Sequence, residues 1–400
     1  MGKLIGGVLL IVGTSIGAGI LALPVSVAQA GFVSSSILLF LCWLLMTFAA
    51  FLILEVNLWF PNTSNIITMA KETLGIPGQI VAWIVYLALL YSLLTLYMSG
   101  GTDVLHSLMG FAGVHTSDWY DSLVFTVVLG SVVYCGTKTI DYVNRGLMFI
   151  KLGSFILLLA LVLMHVHPAY VLSGNASKLW PTVMVMITSF GLATLVPSLR
   201  VYFHSDVKKL RRVILIGSLI PLTCYILWDL AILGTVPLEG SKGLLFILQS
   251  GHTVGGLMTA LQDIVNSETI SEMSKLFTSI CVATSFLGVS LCMTDFLADG
   301  LNIDKRGWGN LKIITLTYLP PVVIVLFYPT VFMKALNYAG TFTTTLLALL
   351  PALMVWRGRY VLKLSGAYRV FGGKPLILLG VLVSFIAVVV GVVQEFHIVN

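Results

Sequence analysis

The stretch Gly13-Thr14-Ser15-Ile16-Gly17-Ala18-Gly19 interrupts an apolar run that extends from Leu4 to Ala30. An unpaired backbone amide in hydrocarbon costs several kcal/mol, so a helix that crosses a bilayer keeps its hydrogen bonds internal. Three glycines within seven residues weaken the helix where that cost is highest. Such a break is tolerated where the freed amides and carbonyls face protein, water or a ligand. The stretch therefore predicts one half of a binding site within a membrane-spanning helix.

The rest of the chain has the composition of a polytopic membrane protein. Hydrophobic residues make up 58% of its 400 residues and charged residues 10%, whereas soluble domains carry about 25% charged residues. Apolar runs of membrane-spanning length recur along the whole chain. We predict an all-α membrane protein with eleven spans, at about residues 4–29, 32–58, 78–106, 119–136, 145–166, 180–200, 212–236, 273–298, 309–328, 331–356 and 375–396.

The positive charges predict how the chain lies in the membrane. With a cytoplasmic N-terminus, 18 of the 22 lysines and arginines fall on the cytoplasmic side of the eleven spans, in accord with the positive-inside rule. The C-terminus is then external. The net charge of +6 consequently reflects orientation and does not indicate a nucleic-acid partner.

Two connecting segments have their own local patterns. The stretch from Thr63 to Leu74 is short and amphipathic and follows the cap sequence Asn62-Thr63-Ser64, so we expect a helix at the membrane surface. The glycine-rich segment from about Pro237 to Glu272 is predicted to form either short helices over the outer vestibule or a loose surface loop.

A second interruption lies in the sixth predicted span, at Thr188-Ser189-Phe190-Gly191-Leu192-Ala193-Thr194-Leu195, followed by Pro197. It matches Thr14-Ser15-Ile16-Gly17-Ala18-Gly19-Ile20-Leu21, followed by Pro24. The two motifs are five spans apart and so enter the bilayer from opposite sides. Paired interruptions in two inverted halves indicate a secondary transporter with its site near the midplane. Small residues that merely let helices pack closely are the alternative.

The chemistry of two broken helices favours a zwitterionic ligand. The amino terminus of a half-helix offers free N–H groups to a carboxylate, and unwound carbonyls accept from an ammonium or coordinate a cation. An α-amino acid carries both charges. It therefore suits the predicted site better than a sugar or an inorganic anion.

The chain resembles the hydroxy and aromatic amino acid permease family of bacteria, within the amino acid–polyamine–organocation superfamily. The residues that carry the resemblance are Gly13 to Gly19 with Leu23-Pro24, Thr188-Ser189-Phe190-Gly191 with Val196-Pro197-Ser198-Leu199, and Lys208-Lys209-Leu210-Arg211-Arg212 to Pro221, a segment similar to tyrosine-specific permeases. The resemblance covers essentially the full length. It implies a leucine-transporter fold in a single domain, residues 1–400, with two inverted repeats of five spans (about 4–166 and 180–356) and an additional helix at about 375–396.

The resemblance also implies the site residues. The substrate carboxylate would meet the backbone of the first interruption and the amine would meet carbonyls of both; the residues concerned are Thr14, Ser15, Gly17, Ala18, Gly19, Thr188, Ser189, Phe190 and Gly191. In this fold the third span lines the pocket. We therefore expect Tyr91, Phe190 and Phe286 to contact the substrate side chain, although ordinary aromatic packing would also explain them.

Lys151 near the cytoplasmic end of span five is the most informative charge. It could simply reach the membrane surface, as lysines near span ends do. In proton-coupled relatives, however, a lysine on span five takes the place of a sodium ion. By that resemblance it would face the carbonyls of Gly13 and Ile16 and the hydroxyls of Thr284 and Ser285, which would also suit sodium. A lysine removed from water gives up its proton more readily, as a proton carrier requires.

Three acidic residues within spans are expected to face the bundle interior, because a charge in lipid is costly. Asp229 in span seven is the second candidate for a proton carrier or an outer gate. Glu55 and Asp295 are predicted to form structural pairs.

These observations predict a proton-coupled importer of an aromatic amino acid, tyrosine first, in the bacterial inner membrane. The same fold with tryptophan, serine or threonine as substrate, or with sodium as the coupling ion, remains open. A membrane-embedded enzyme or a channel fits less well, because the charges are scattered and the interruptions are paired. We expect no cofactor and no metal site, and the sequence implies no particular oligomer.

Overall fold

The computed structural model describes residues 2–62, 64–265 and 267–399. The protein is 82% helical, because a helix satisfies its own backbone groups in hydrocarbon, and the described residues contain no strand. The α-helices are, in order, α1 (Gly2–Ser15), α2 (Ala18–Val27), α3 (Phe32–Asn57), α4 (Ile66–Phe111), α5 (Asp118–Tyr134), α6 (Thr137–Leu163), α7 (Pro168–Val171), α8 (Val183–Thr188), α9 (Val196–Tyr202), α10 (Val207–Thr235), α11 (Leu244–Ser250), α12 (Thr253–Val265), α13 (Glu268–Leu301), α14 (Trp308–Phe327), α15 (Phe332–Thr344), α16 (Leu350–Tyr360) and α17 (Gly373–Val399). Three 3₁₀ turns lie at Ala176–Lys178, Trp180–Thr182 and Gly191–Leu195, and a π-helical turn joins α15 to α16 at Thr345–Leu349.

The described part of the chain contains nine helical segments long and apolar enough to cross a bilayer, or ten spans when the bent pair α1 and α2 counts as one. Ten of the predicted spans therefore have a counterpart. The remaining one, the fourth predicted span at about 119–136, coincides with α5. This helix has only 17 residues, with Asp118 and Asp121 in its first turn, and lies at the lower limit of what crosses a hydrocarbon core. This fourth span stays a prediction.

The long helices α4 and α13 pack against each other in the middle of the bundle. Helix α6 lies along α13 and α15 lies along α4, while α1 packs against α10 and α8 against α15. Helices α5 and α14 pack together beside α4, and α17 packs on α15. The two interrupted segments are thus held among α4, α6, α10, α13 and α15, which fixes where the breaks meet.

The start of α4 contains the short helix that the sequence predicts, joined directly to the next span. Thr63 lies outside the described residues, and the cap is Asn65, whose Oδ1 accepts a hydrogen bond from the Thr68 amide at 2.9 Å. Gly75 has a φ of +79° and kinks the helix there, a conformation that glycine adopts at little cost. The residues from Ile66 to the kink therefore form a separate short helix, and the main part of α4 follows it.

Both predicted structural pairs are confirmed. Glu55 on α3 forms a buried two-pronged ion pair with Arg359 on α16, and its second oxygen also accepts from the Val370 amide at 2.7 Å. Asp295 on α13 pairs with Lys305 in the connection that follows, but its side chain is 56% exposed, so the expectation that it faces the bundle interior is wrong. A buried carboxylate is tolerated when its lone pairs are filled in this way, so Glu55 serves to fasten α16 to α3.

The segment between α10 and α13 forms short helices, α11 and α12, as one of the two alternatives predicts. His252 precedes α12, and its Nδ1 lies 2.5 Å from Oδ1 of Asp103 on α4. The other Asp103 oxygen accepts from the Val254 amide at 3.3 Å. This aspartate therefore fastens the start of α12 to the end of α4.

The hydrogen bond to Asp103 raises the pKa of His252. The stabilisation that the pair adds is thus complete below the ordinary histidine pKa of about 6.5 and is lost as the pH rises through the raised value. We expect His252→Gln to lower the melting temperature in detergent more at about pH 5 than at about pH 8.5. The exposed His115 provides a control: His115→Gln is expected to leave the melting temperature at both pH values as in the wild type. Equal losses for His252→Gln at both pH values would contradict the assignment.

Candidate functional site

The first helix break separates α1 from α2, whose axes differ by 49°. The Thr14 hydroxyl donates back to the Leu10 and Ile11 carbonyls at 2.8 and 3.0 Å, so this hydroxyl is satisfied within α1. Gly17 then adopts a non-helical conformation, with φ −141° and ψ −131°. The carbonyls just before it therefore lose their partners four residues later in the chain.

The second break follows α8, which ends at Thr188. Phe190 leaves the helical conformation, with φ −111° and ψ 37°, and the chain continues as the 3₁₀ turn Gly191–Leu195. Helix α9 then starts at Val196, with Pro197 in its first turn, where the missing amide of a proline costs nothing. The segment is continuous in direction but loses its regular α-helical hydrogen bonds in the middle.

The two breaks lie directly against each other. A Cβ on Gly19 would stand 2.4 Å from Oγ and 3.1 Å from Cα of Ser189, so only a glycine allows this approach. A cavity of about 270 Å³ begins at this contact. Its lining includes the predicted substrate residues Thr14, Ser15, Ala18, Gly19, Thr188, Ser189 and Gly191, together with the predicted coupling residues Gly13, Lys151, Thr284 and Ser285.

The cavity extends from the breaks toward the side of the protein that holds the N-terminus. Its lining reaches Asn144 near the start of α6, Leu195 near the end of the second break and Cys292 in the last third of α13. All three lie nearer to that side than the breaks do. On the opposite side of the breaks, Gly19 contacts Ser189 and the ring of Phe332 packs over Gly100.

Three predicted aromatic contacts are not among the residues that line this cavity in the described structure. The Tyr91 hydroxyl donates to the Leu316 carbonyl at 2.8 Å. Phe286 stacks on Tyr318, and Phe190 packs edge-on against Tyr225. Gly17, Ile16 and Asp229 are likewise absent from the lining.

Helical phase explains the position of Tyr91. The aromatic residues of α4 that line the cavity are Tyr86 and Tyr97, which are eleven positions apart and so lie on one face of a helix. Tyr91 is five positions from Tyr86 and points about 140° away from it. The hydroxyl of Tyr97 lies 3.4 Å from the Ala18 amide at the start of α2, so α4 also contacts the first break directly.

Lys151 on α6 reaches the first break from the side. Its side chain is only 1% exposed. Nζ donates to the Gly13 and Ile16 carbonyls at 3.0 Å each and to the Thr284 hydroxyl at 3.4 Å. An ammonium has three protons and no acceptor, and three acceptors surround this one. Lys151 therefore does not extend to the membrane surface but replaces hydrogen bonds that the break removes.

Two residues at the breaks were missed by sequence reasoning. The Tyr225 hydroxyl on α10 lies 2.5 Å from the Ser15 carbonyl and 3.0 Å from the Ser189 carbonyl. The Cys281 thiol on α13 lies 3.4 Å from the Gly17 carbonyl. Both side chains occur in apolar runs without a motif. The sequence marks each of them only as a polar group in the middle of a span.

Asp229 lies one turn beyond Tyr225 on α10 and is 1% exposed. Its Oδ1 has no hydrogen-bond partner among the described residues. A buried carboxyl oxygen without a partner is costly; the role of Asp229 as a second proton carrier or an outer gate stays a prediction.

A cavity held between two interrupted membrane helices is the arrangement found in secondary transporters. Comparison with known proteins identifies the family of transporters. The model of the tryptophan/tyrosine permease family matches residues 1–394, and the chain belongs to this family. Its members and the relatives below are transport proteins and not enzymes.

Three relatives are similar over nearly their whole length. Tyrosine-specific transport system 1 of Haemophilus influenzae is 36% identical over 396 residues, covering 96% of this chain and 96% of that protein. Tyrosine-specific transport system 2 of the same organism is 34% identical, covering 97% and 96%. The tryptophan-specific transport protein of Pseudomonas aeruginosa is 32% identical, covering 99% and 95%. The chain is thus a multi-pass membrane protein, and its bacterial relatives imply the inner membrane.

Proposed function

We propose that this protein imports an aromatic amino acid, tyrosine first, by proton symport with alternating access. The observation that carries the proposal is the junction of the two breaks, where the cavity meets the buried ammonium of Lys151. In this proposal the N-terminus is cytoplasmic and the C-terminus external. The cavity then opens inward, and the Gly19–Ser189 contact closes the external side.

The fold that we propose is the leucine-transporter fold, with inverted repeats at about 4–166 and 180–356 and an additional helix at about 375–396. The support for this fold is that each pair of spans in contact has an equivalent pair, five spans away in the chain, that is also in contact. Span five packs on span eight (α6 on α13), and the shifted pair, span ten on span three, also packs (α15 on α4). Span one packs on span seven (α1 on α10). The shifted pair, span six and span two, also packs (α8 and α9 on α3).

The polarity of the half-helices supports an amino acid as substrate. Helix α2 starts at Ala18 and directs free amides and the positive end of its dipole toward the junction. Helices α1 and α8 end there, with the Ser15 and Ser189 carbonyls at the junction. A carboxylate is thus favoured at the start of α2 and an ammonium at the ends of α1 and α8.

Asn144 supports a side chain that carries a hydrogen-bond donor. It lines the cavity, and its Oδ1 is buried without a partner among the described residues. It lies two turns from Lys151 on the same face of α6, toward the inner end of the cavity. A phenolic O–H or an indole N–H would satisfy this oxygen, and a phenyl ring would not. Tyrosine is therefore our first candidate and tryptophan the second, as the specificities in the relatives' names also suggest.

Lys151 is the proposed proton carrier. In its protonated form, three N–H groups match the Gly13, Ile16 and Thr284 acceptors and hold α1 against α6 and α13. After deprotonation one donor and the charge assistance are lost, which loosens the end of α1. Sodium would need the same oxygens, so the ammonium already among them favours proton coupling.

Uptake into proteoliposomes tests the proposal. We expect labelled tyrosine to accumulate under an inward proton gradient, without sodium, and uptake to stop when a protonophore is added. Tryptophan, phenylalanine, serine and threonine are measured alongside, with a sodium gradient as the second condition. Uptake of none of the five under either gradient contradicts the transport proposal, and a requirement for sodium contradicts proton coupling alone.

A further inference from the structure

Tyr225 lies behind the junction of the two breaks and outside the cavity lining. It is completely buried on α10, and its one hydroxyl is within hydrogen-bond distance of the Ser15 and Ser189 carbonyls. These two carbonyls belong to different halves of the chain. Tyr225 is therefore a side chain that contacts the end of α1 and the end of α8 at once.

The two helix ends need such a group between them. The last carbonyls of a helix lack intrahelical partners and carry the negative end of its dipole. Here two such ends come within a few ångströms of each other, because both carbonyls contact one oxygen atom. A hydroxyl between them satisfies them in turn and reduces their repulsion.

The ring of Tyr225 is held in place by the second break itself. Phe190 packs edge-on against it, with centroids 5.5 Å apart and an interplanar angle of 73°. Such a pair restricts both rings. Phe190 thus acts on the breaks through Tyr225 and not through contact with the cavity.

We propose that Tyr225 is a positioning residue for the substrate ammonium. Each carbonyl oxygen has two lone pairs. The single hydroxyl proton of Tyr225 bonds one of the two carbonyls at a time from the buried side, and the cavity side, lined by Ser15 and Ser189, leaves lone pairs for the ammonium. The hydroxyl thereby sets the spacing of two acceptors that come from opposite halves of the protein. This inference rests on the proposed function, because it requires a substrate with an amino group.

Tyr225→Phe is the test, since it keeps the ring and removes the hydroxyl. We expect the KM for the amino acid that the wild type imports to rise about 10-fold, while the maximal rate changes less than about 2-fold. Inhibition by 3-(4-hydroxyphenyl)propionate, which lacks the ammonium, is expected to stay the same. An unchanged KM, or an equal loss for the amino acid and the amine-free analogue, overturns the inference.

Tyr318→Phe is the matched control. Tyr318 is also buried, and its hydroxyl has no hydrogen-bond partner among the described residues, so its removal is expected to leave KM unchanged. Size-exclusion chromatography checks that both variants fold. Should Tyr225→Phe fail to fold, Phe190→Leu provides the second test: a raised KM supports the inference and an unchanged KM overturns it. A wild type that imports no amino acid contradicts the proposed function instead.

Discussion

In Lys151→Met, uptake driven by a proton gradient is expected to fall at least about 100-fold. Methionine fills a similar volume but donates no hydrogen bond, so the Gly13 and Ile16 carbonyls lose the donor that stands 3.0 Å from each. The variant also has no group that can release and regain a proton at this position. Both the resting structure of the break and the coupling step are therefore affected.

Exchange of labelled for unlabelled substrate separates these two effects. Exchange at equilibrium requires no net proton movement, so a carrier role predicts that it persists in Lys151→Met while gradient-driven uptake disappears. Lys312→Met is the control, because Lys312 is exposed at the start of α14, and we expect normal uptake there. Proton-driven uptake by a folded Lys151→Met protein would falsify the carrier role.

Gly19→Ala is expected to reduce uptake at least about 10-fold, although one methyl group is the whole change. The added Cβ would lie 2.4 Å from the Ser189 oxygen and 3.1 Å from a backbone atom. A rotation of the serine relieves the first clash but not the second. Helix α2 must then move away from α8, which opens the closed side of the cavity and separates the two half-sites.

Gly153→Ala is the control for the general cost of adding a methyl group to a glycine in a span. Gly153 lies within α6, and a Cβ there meets no described atom within 4 Å. Uptake and melting temperature are expected to match the wild type or to improve slightly, since alanine favours a helix. Normal uptake by Gly19→Ala would show that the breaks need no such close contact.

Much of the site follows from patterns that act locally. Three glycines within seven residues weaken the first span, and the matching Thr-Ser motifs at Thr14 and Thr188 identify both breaks before any coordinates are known. The neighbours of Lys151 were predicted from the resemblance to a family. The structure has Gly13, Ile16 and Thr284 around its ammonium. The role of that ammonium stays a proposal.

The remaining contacts depend on relations between distant segments. Which tyrosine of α4 faces the cavity depends on the rotation of a long helix, so the choice of Tyr91 over Tyr86 and Tyr97 could not be made from its place in the span. Tyr225 is 210 positions from Ser15, and no periodicity or spacing links them. Such contacts arise from the packing of α10 against α1, which an isolated sequence does not contain.

The shortness of α5 has a consequence for the surrounding lipid. As a span, its 17 residues rise about 26 Å, less than a hydrocarbon core of about 30 Å. Acyl chains beside α5 and its neighbour α14 would have to compress or tilt, at a cost of a fraction of a kcal/mol per ångström. Reconstitution in lipids of increasing chain length is therefore expected to slow the protein, with bilayer thickness acting as an external control on its rate.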